Sequence, residues 1–192
     1  MSDTIAAKVD GRRAVGDRNR DAILEAAIGV LAAEPEAGVA EVAAAAGVGR
    51  ATVYRHFASR EELIEALRLH AGEEARRRFD EVRVDEGDPV EALERMVAAM
   101  LALGDRYRVI FPQEREAKPP RRKEILLKPL GRLIARAQAE GAIDPELPPA
   151  WVIATLRALL RAANGEVEAR RLARDAAAAQ VVRTLVRGVG SA

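Results

Sequence analysis

The sequence predicts an all-α protein, and three observations support this fold class. Alanine, which has the highest intrinsic helix propensity, accounts for 40 of the 192 residues. Aromatic residues, which favour strands, make up only 3% of the chain. Apolar residues recur at helical spacing along most of the sequence. Since 49% of the residues are hydrophobic, the chain has enough apolar side chains to bury a core.

The first helix is expected to follow a polar arm. Residues 1–17 are rich in charged and small side chains and are expected to be flexible. The helix runs from about Arg18 to Ala33, with Asp17 as its N-cap, and carries an apolar face.

Two short helices come next, over about 39–46 and 50–56. Gly38 is the N-cap of the first, and Gly47 ends it at a position where a positive φ costs little. A glycine-containing turn between two short helices is the helix-turn-helix pattern.

Capping signals mark the next two helix starts. The Ser59 hydroxyl is expected to accept a hydrogen bond from the Glu62 amide, and the Glu62 carboxylate to reach back to Ser59. That fourth helix extends to residue 78 or beyond. Asp88 and Pro89 begin a fifth helix, a cap followed by proline at the first helical position, which extends to about residue 110.

Three further helices are expected in the second half of the chain. The sixth spans about 121–140 and contains Pro129, where we expect a kink or a break. The seventh covers about 150–165, with the alternative that helical turns resume over 166–171. The last covers about 175–187 and ends at Gly188.

These elements divide the chain into a flexible arm (1–17), a compact N-terminal bundle (18–65) and a larger helical domain (66–192). No apolar run approaches the roughly 18 residues of a membrane-spanning helix. Residues 1–20 also lack the apolar core of a signal peptide. We therefore expect a cytoplasmic protein without membrane association.

The scarcity of reactive side chains argues against an enzyme. Cysteine is absent, and serine occurs only at positions 2, 59 and 191. The two histidines are His56 and His70, so a catalytic triad is improbable and no catalytic residue is assigned.

Cofactor and metal sites have equally little support. His70 and Glu74 share a helix face, but an exposed intrahelical pair is favoured over a metal site, which needs a further ligand. The glycines at 47 and 49 follow a helix rather than a strand, so they do not indicate a nucleotide-binding loop. No cofactor and no metal are expected.

The segment 47–60 has the chemistry of a DNA-binding surface. It contains three arginines and no acidic residue. Arg50 is suited to a guanine edge, and Ala51 and the Thr52 methyl are suited to thymine. The phosphate candidates are Tyr54, Arg55, His56, Ser59 and Arg60, together with the backbone amides at the start of the fourth helix. The alternative is that the aromatics are core residues and the arginines a solvated face.

A family resemblance favours DNA binding. Residues 43–63, AAAAGVGRATVYRHFASREEL, resemble the signature of the TetR family of transcriptional regulators, and ILEAA at 23–27 matches that family's first helix. The resemblance covers about residues 18–67. It implies an N-terminal three-helix DNA-binding bundle and a larger helical domain that binds a small molecule and pairs two subunits.

Two features depart from the family pattern. Gly38 stands where the family usually has Ser or Thr, so that at most a backbone amide is left to contact a phosphate. The connection over 32–37 is also about two residues shorter than usual, which is expected to tilt the second helix slightly.

The larger domain offers candidates for an effector pocket and for a dimer interface. Core packing explains the pocket candidates equally well, whereas for the dimer candidates a subunit interface is favoured over packing within one subunit. The pocket candidates are apolar residues of the middle helices, where methionine adapts to varied guests: Met96, Met100, Leu103, Tyr107, Phe111, Leu126, Leu130 and Trp151. The dimer candidates lie on the last two helices, which the resemblance assigns to subunit pairing: Leu156, Leu159, Leu160, Val181, Val182 and Leu185.

The interpretation is a homodimeric, ligand-responsive repressor that binds a palindromic double-stranded DNA operator and is released by a small-molecule effector. The alternative is a helical scaffold for protein interaction that does not bind DNA. The basic stretch 118–136 is interpreted as a solvated helix face, and the alternatives are a site for an anionic effector or a second DNA contact. The net charge of only +1 averages over an acidic segment, 73–94, and the acid-free segment 47–60.

Overall fold

The computed structural model describes residues 2–107 and 121–189, with backbone only for residues 2–17, 121–126 and 189. These residues form eight α-helices, which confirms the predicted fold class: α1 (Ser2–Ala33), α2 (Val39–Ala45), α3 (Arg50–His56), α4 (Arg60–Glu81), α5 (Pro89–Arg106), α6 (Arg121–Ala139), α7 (Pro149–Glu168) and α8 (Arg174–Val189). No described helix has the length and apolarity needed to cross a bilayer.

The first helix begins much earlier than predicted. It starts at Ser2, so the segment expected to be an arm is helical, and Asp17 lies inside the helix instead of capping it. The segment contains no proline, and a formed helix extends at little cost per added residue.

The chain divides into two compact units. Among the described residues, the first unit holds 2–71 with Arg106 and Tyr107, and the second holds 72–105 and 121–189. The division falls inside α4, after Ala71, whereas a boundary near residue 65 was expected.

The first unit has a core contributed by all four of its helices. α1 packs against α2 and α3, and α2 packs against α3. The largest fully buried side chains in this unit are Phe57, Ile23, Leu24, Leu63 and Leu67. This core holds α2 and α3 on a rigid support.

The second unit is a bundle of α5 to α8 and the end of α4. α6 and α8 both pack against α7. Its fully buried side chains include Leu93, Met96, Leu133, Ile143 and Leu156. One continuous cluster of buried side chains therefore forms the core of this unit.

The helix α6 runs through Pro129 without interruption, so of the predicted kink or break, the break is wrong. Proline removes one backbone hydrogen bond from a helix. The buried residues Leu130, Leu133 and Ile134 anchor the turns that follow, which shows that packing outweighs this local penalty.

The last two helices also extend past their predicted ends. α7 continues through Gly165 to Glu168, and α8 includes Gly188. The chain leaves α7 at Arg170, which has a positive φ of 56°. Arg171 then donates hydrogen bonds of 2.7 and 2.8 Å to the Glu166 carboxylate, so this ion pair fixes the end of α7.

The described part of the basic stretch is used inside the second unit. Arg136 donates to the carbonyl oxygens of Val84, at 2.7 Å, and Gly87, and also pairs with Glu140 at 2.8 Å. Arg132 lies 3.5 Å from Asp85. These contacts hold the connection between α4 and α5.

Candidate nucleic-acid interface

The helix-turn-helix is closed by a glycine turn. Gly47 has a φ of 66°, which L-amino acids with side chains rarely adopt. The amides of Gly47 and Val48 donate to the carbonyl oxygens of Ala44 and Ala43 at 3.2 and 3.0 Å. The end of α2 is therefore satisfied, and α3 begins at Arg50, as predicted.

The residues of α3 divide sharply between the core and the solvent. Val53 is fully buried, and Phe57, which ends the helix, is 2% exposed. The first turns instead present Arg50, Ala51, Thr52, Tyr54 and Arg55, of which Thr52 is half-buried and the others are exposed. The exposed surface of α3 thus has positive charge and hydrogen-bonding groups.

Contacts from α1, α4 and α5 stabilise the bundle that carries this surface. The Arg20 guanidinium lies 5.6 Å from the centre of the Phe57 ring, at cation–π distance. Arg106 donates to both Glu25 carboxylate oxygens, at 2.8 and 2.6 Å. His70 Nε2 lies 3.3 Å from Glu25 Oε1. Sequence reasoning missed Glu25, because its partners lie far along the chain.

The start of α4 is already satisfied by its own side chains. The Ser59 hydroxyl accepts from the Glu62 amide at 3.2 Å, as predicted, but the Glu62 carboxylate accepts from the Ala58 amide at 2.7 Å rather than from Ser59. The pKa of Glu61 is lowered by its own backbone amide first, then by the Ser59 hydroxyl and by Arg60. The Glu61 and Glu62 carboxylates and the Ser59 hydroxyl therefore already bind the backbone amides here, so these contacts weigh against the predicted phosphate site at Ser59 and the neighbouring amides.

The backbone amide of Gly38 is also occupied. It donates to Glu41 Oε2 at 3.0 Å, so it is not free for a phosphate as expected. Glu41 stands three residues after the cap, which is the spacing of a capping box, and this signal in the sequence was overlooked.

Arg60 is half-buried and is hydrogen-bonded to the turn between α1 and α2. Its Nη2 donates to the Pro35 carbonyl oxygen at 2.7 Å and its Nε to the Ala37 carbonyl oxygen at 3.3 Å. His56 is half-buried, and its Nε2 is covered, with no hydrogen-bond partner in the part of the chain that the structure describes. Arg60 and His56 are therefore weaker phosphate candidates than Tyr54, which is 53% exposed.

The predicted pocket residues have mixed environments. Met96 and Leu130 are buried in the core of the second unit, and Met100 and Leu103 pack partly buried against it. Trp151 is 61% exposed on α7. Tyr107 is buried in the first unit. Phe111 and the Leu126 side chain lie outside the described residues.

The predicted dimer residues mostly face inward. Leu159 is half-buried, and the other five are buried in the core of their own chain: Leu156, Leu160, Val181, Val182 and Leu185. These five side chains pack within one subunit, which corrects their assignment to an interface. An apolar face was mistaken for a contact surface because its spacing is the same in both cases.

Metal-ligating side chains do not cluster in the described ranges, where no three of them come together. His70 lies against Glu25, and Glu74 accepts a hydrogen bond of 2.8 Å from Arg78.

Comparison with known proteins identifies the family. The model of bacterial regulatory proteins of the tetR family matches residues 23–67. The HTH-type transcriptional repressor LfrR of Mycolicibacterium smegmatis is 33% identical over 149 residues, covering 76% of this chain and 77% of LfrR. The HTH-type transcriptional regulator UidR of Escherichia coli is 28% identical, covering 72% of this chain and 74% of UidR.

The fold agrees with these sequence matches. A crystal structure of LfrR from Mycobacterium smegmatis in complex with proflavine superposes with a TM-score of 0.72 and 28% identity, covering 91% of this chain and 99% of that chain. The matched residues 23–67 contain the whole helix-turn-helix described above. Together, the family match and the identity to LfrR show that this chain belongs to the TetR family of DNA-binding transcriptional regulators.

Proposed function

We propose that this protein is a ligand-responsive repressor that binds a palindromic operator as a homodimer and releases it when a small molecule binds. The observation that carries the proposal is the surface of α3, where arginine, tyrosine and small side chains are exposed without an acidic neighbour. Members of this family are regulators rather than enzymes, so the scaffold alternative and an enzymatic role are set aside.

The proposed contacts follow from exposure and chemistry. Arg50 at the start of α3 is suited to the two acceptors of guanine, and Ala51 and Thr52 offer methyl groups to thymine. Tyr54 and Arg55 are suited to phosphate oxygens, which set the register of the helix on the duplex. Gly38, His56, Ser59 and Arg60 are internally engaged or covered and are left out of the proposed contacts.

Binding to DNA from the promoter region of its own gene tests the proposal. Purified protein should bind this duplex more tightly than a scrambled duplex of equal length at moderate salt. Arg50→Ala should weaken binding by roughly tenfold or more while the protein stays folded, since a good base contact is worth about 1–3 kcal/mol. Tyr54→Ala should weaken it by roughly tenfold, since a hydrogen bond to a charged group such as a phosphate is worth about 1.5–3 kcal/mol.

Arg68→Ala is the matched control, because Arg68 is a partly exposed arginine of the same unit outside α3 and pairs with Glu65. It should leave binding unchanged. Equal affinity of the wild type for both duplexes would refute the proposal.

The dimer is proposed to form through the outward face of α7. Trp151, Ala154, Ala158 and Ala162 are exposed and recur at helical spacing on the side opposite the core. Small side chains let two helices approach closely, and a two-fold axis would place two copies of α3 on successive turns of a palindrome.

The effector is proposed to be a small apolar or aromatic molecule held in the second unit. The support is the structure of the relative LfrR in complex with proflavine, together with the partly buried Met100 and Leu103. An effector that favours the state unable to bind DNA must weaken operator binding, and operator must weaken effector binding by the same factor.

Calorimetric titration with proflavine, in the absence of DNA, tests the effector site. Proflavine should bind wild-type protein, and Met100→Trp should weaken binding by filling the site. Leu69→Trp is the control, because Leu69 is an exposed apolar residue of the first unit. Equal binding to wild type and Met100→Trp would exclude Met100 from the site.

A further inference from the structure

The positive charge of Arg60 lies close to α3 in the sequence but is hydrogen-bonded to backbone carbonyl oxygens. As the first residue of α4, it follows α3 by only a few residues, in a segment that the sequence marks as basic. Its guanidinium donates to the Pro35 and Ala37 carbonyl oxygens at 2.7 and 3.3 Å. Both acceptors lie in the turn between α1 and α2.

The turn that Arg60 contacts is short and lacks the usual cap. It is closed by the Ala37 amide, which donates to the Glu34 carbonyl oxygen at 3.0 Å. Gly38 has no side chain to cap α2, and only Glu41 covers its amide. The Pro35 and Ala37 carbonyls, by contrast, depend on a residue from another part of the chain.

The contact joins the two outer ends of the helix-turn-helix. Pro35 and Ala37 lie just before α2, and Arg60 lies just after Phe57, the residue that ends α3. The Phe57 amide donates to Val53 at 2.8 Å, and the ring is buried, so the end of α3 is itself fixed. A link between these two ends restricts the angle between α2 and α3.

We propose that Arg60 is a positioning residue for DNA binding, which sets the orientation of α2 relative to α3 and does not neutralise a phosphate. The inference rests on the proposed function, because it assigns a role within the proposed DNA-binding surface. Arginine is needed because its planar fork directs two donors to two acceptors, whereas lysine is a single point charge.

Two pairs of variants separate positioning from direct contact. Arg60→Lys and Arg60→Ala are compared with Arg55→Lys and Arg55→Ala, in which the altered residue is exposed on α3. Binding to the promoter duplex is measured by fluorescence anisotropy from about 50 to 200 mM salt. Circular dichroism confirms that each variant is folded.

Arg60→Lys should lose affinity about tenfold at every salt concentration with an unchanged salt slope, because the charge stays and the link to the turn is broken. Arg55→Lys should stay close to wild type. Arg55→Ala should give a shallower slope, by about 0.9 for each phosphate that the variant no longer neutralises. The proposal would be overturned if Arg60→Lys bound the duplex with wild-type affinity. It would also be overturned if the salt slope of Arg60→Ala were shallower than that of the wild type by the amount expected for Arg55→Ala.

Hydrogen exchange of the protein without DNA tests the contact between Arg60 and the turn even if the protein does not bind the operator. In Arg60→Lys, the amide of Ala37 should exchange severalfold faster than in wild type, whereas Arg55→Lys should match wild type. Unchanged exchange at Ala37 would overturn the inference even if DNA binds as proposed. Failure of the wild type to prefer the promoter duplex would instead refute the proposed function.

Discussion

At the scale of single residues, the structure separates charges that hold the fold from charges that are exposed. Arg60, Glu41 and Glu62 all bind backbone groups near the helix-turn-helix. Arg50 and Arg55 are exposed on α3. Residue type and spacing look alike for both groups, so the sequence predicted all three arginines of this segment as DNA contacts.

Glu61 provides a test at this scale through its titration. Its pKa should lie below the ordinary value of 4.5, because its own backbone amide and the Ser59 hydroxyl bind the ionised form. A carboxyl pKa lowered by folding stabilises the protein above the unfolded-state pKa, and this contribution is lost as pH falls through the folded-state value. NMR of the Glu61 side-chain carboxyl carbon over a range of pH measures the titration midpoint of this group directly.

Removing the Ser59 hydroxyl provides the comparison for the Glu61 pKa of the wild type. In Ser59→Ala the Glu61 pKa should rise part of the way towards 4.5, since the amide contribution remains. The same change should cost about 1 kcal/mol of stability by removing the cap. An unchanged Glu61 midpoint would show that the Ser59 hydroxyl does not bind this carboxylate.

At the scale of helices, α7 has two apolar faces with different environments. Val152, Leu156 and Leu160 face the core, whereas Trp151 and Ala158 are exposed. Helical spacing alone predicts an apolar face but does not say what covers it. The structure assigns the first face to the chain's own core.

Leu156→Ala should therefore destabilise the subunit itself. A fully buried leucine leaves a cavity when truncated, so the free energy of unfolding should fall by about 2–5 kcal/mol. Arg157→Ala, at the exposed neighbouring position, should change it by less than about 0.5 kcal/mol. Chemical denaturation measures both values. If Leu156→Ala kept wild-type stability but no longer formed the proposed dimer, Leu156 would belong to the dimer interface after all.

Local signals predicted some helix boundaries well and others poorly. α3 was predicted with its observed limits because a glycine turn precedes it. The Asp88 cap of α5 is confirmed too, since its Oδ1 accepts from the Val90 and Glu91 amides at 2.8 and 3.1 Å. The start of α1 and the continuity of α6 through Pro129 were missed, because cooperative extension and core packing outweigh the local propensities on which sequence reasoning depends.

At the scale of the whole molecule, positive charge is concentrated rather than abundant. The chain has a net charge of +1, and of the three arginines in the acid-free segment, Arg60 binds backbone carbonyls. Two exposed arginines, Arg50 and Arg55, remain on α3.

DNA binding should therefore depend only weakly on salt. If Arg55 neutralises one phosphate in each of the two proposed subunits and Arg50 contacts a base edge, the slope of log K against log salt should be about −2, at about −0.9 per phosphate. Anisotropy titrations over a range of salt concentrations give this slope. A slope near −8 would contradict it and would require further cations from outside α3.

The dimer can be tested by placing a charge on the outward face of α7. Ala158→Arg should convert the proposed dimer to a monomer in sedimentation velocity, because two copies of the charge would meet at a two-fold interface. Ala135→Arg is the matched control, an exposed alanine of α6 outside the proposed interface. A dimer in both variants would exclude this face of α7.

The division of α3 between core and solvent also bears on how such a regulator can diverge. Val53 and Phe57 secure the helix, while Arg50, Ala51 and Thr52 are not part of the core. Exchanging surface residues outside special contacts usually changes stability by no more than about 0.5 kcal/mol. After gene duplication, a copy can therefore acquire a new operator sequence through a few substitutions in the first turn of α3, without first accumulating stabilising changes elsewhere.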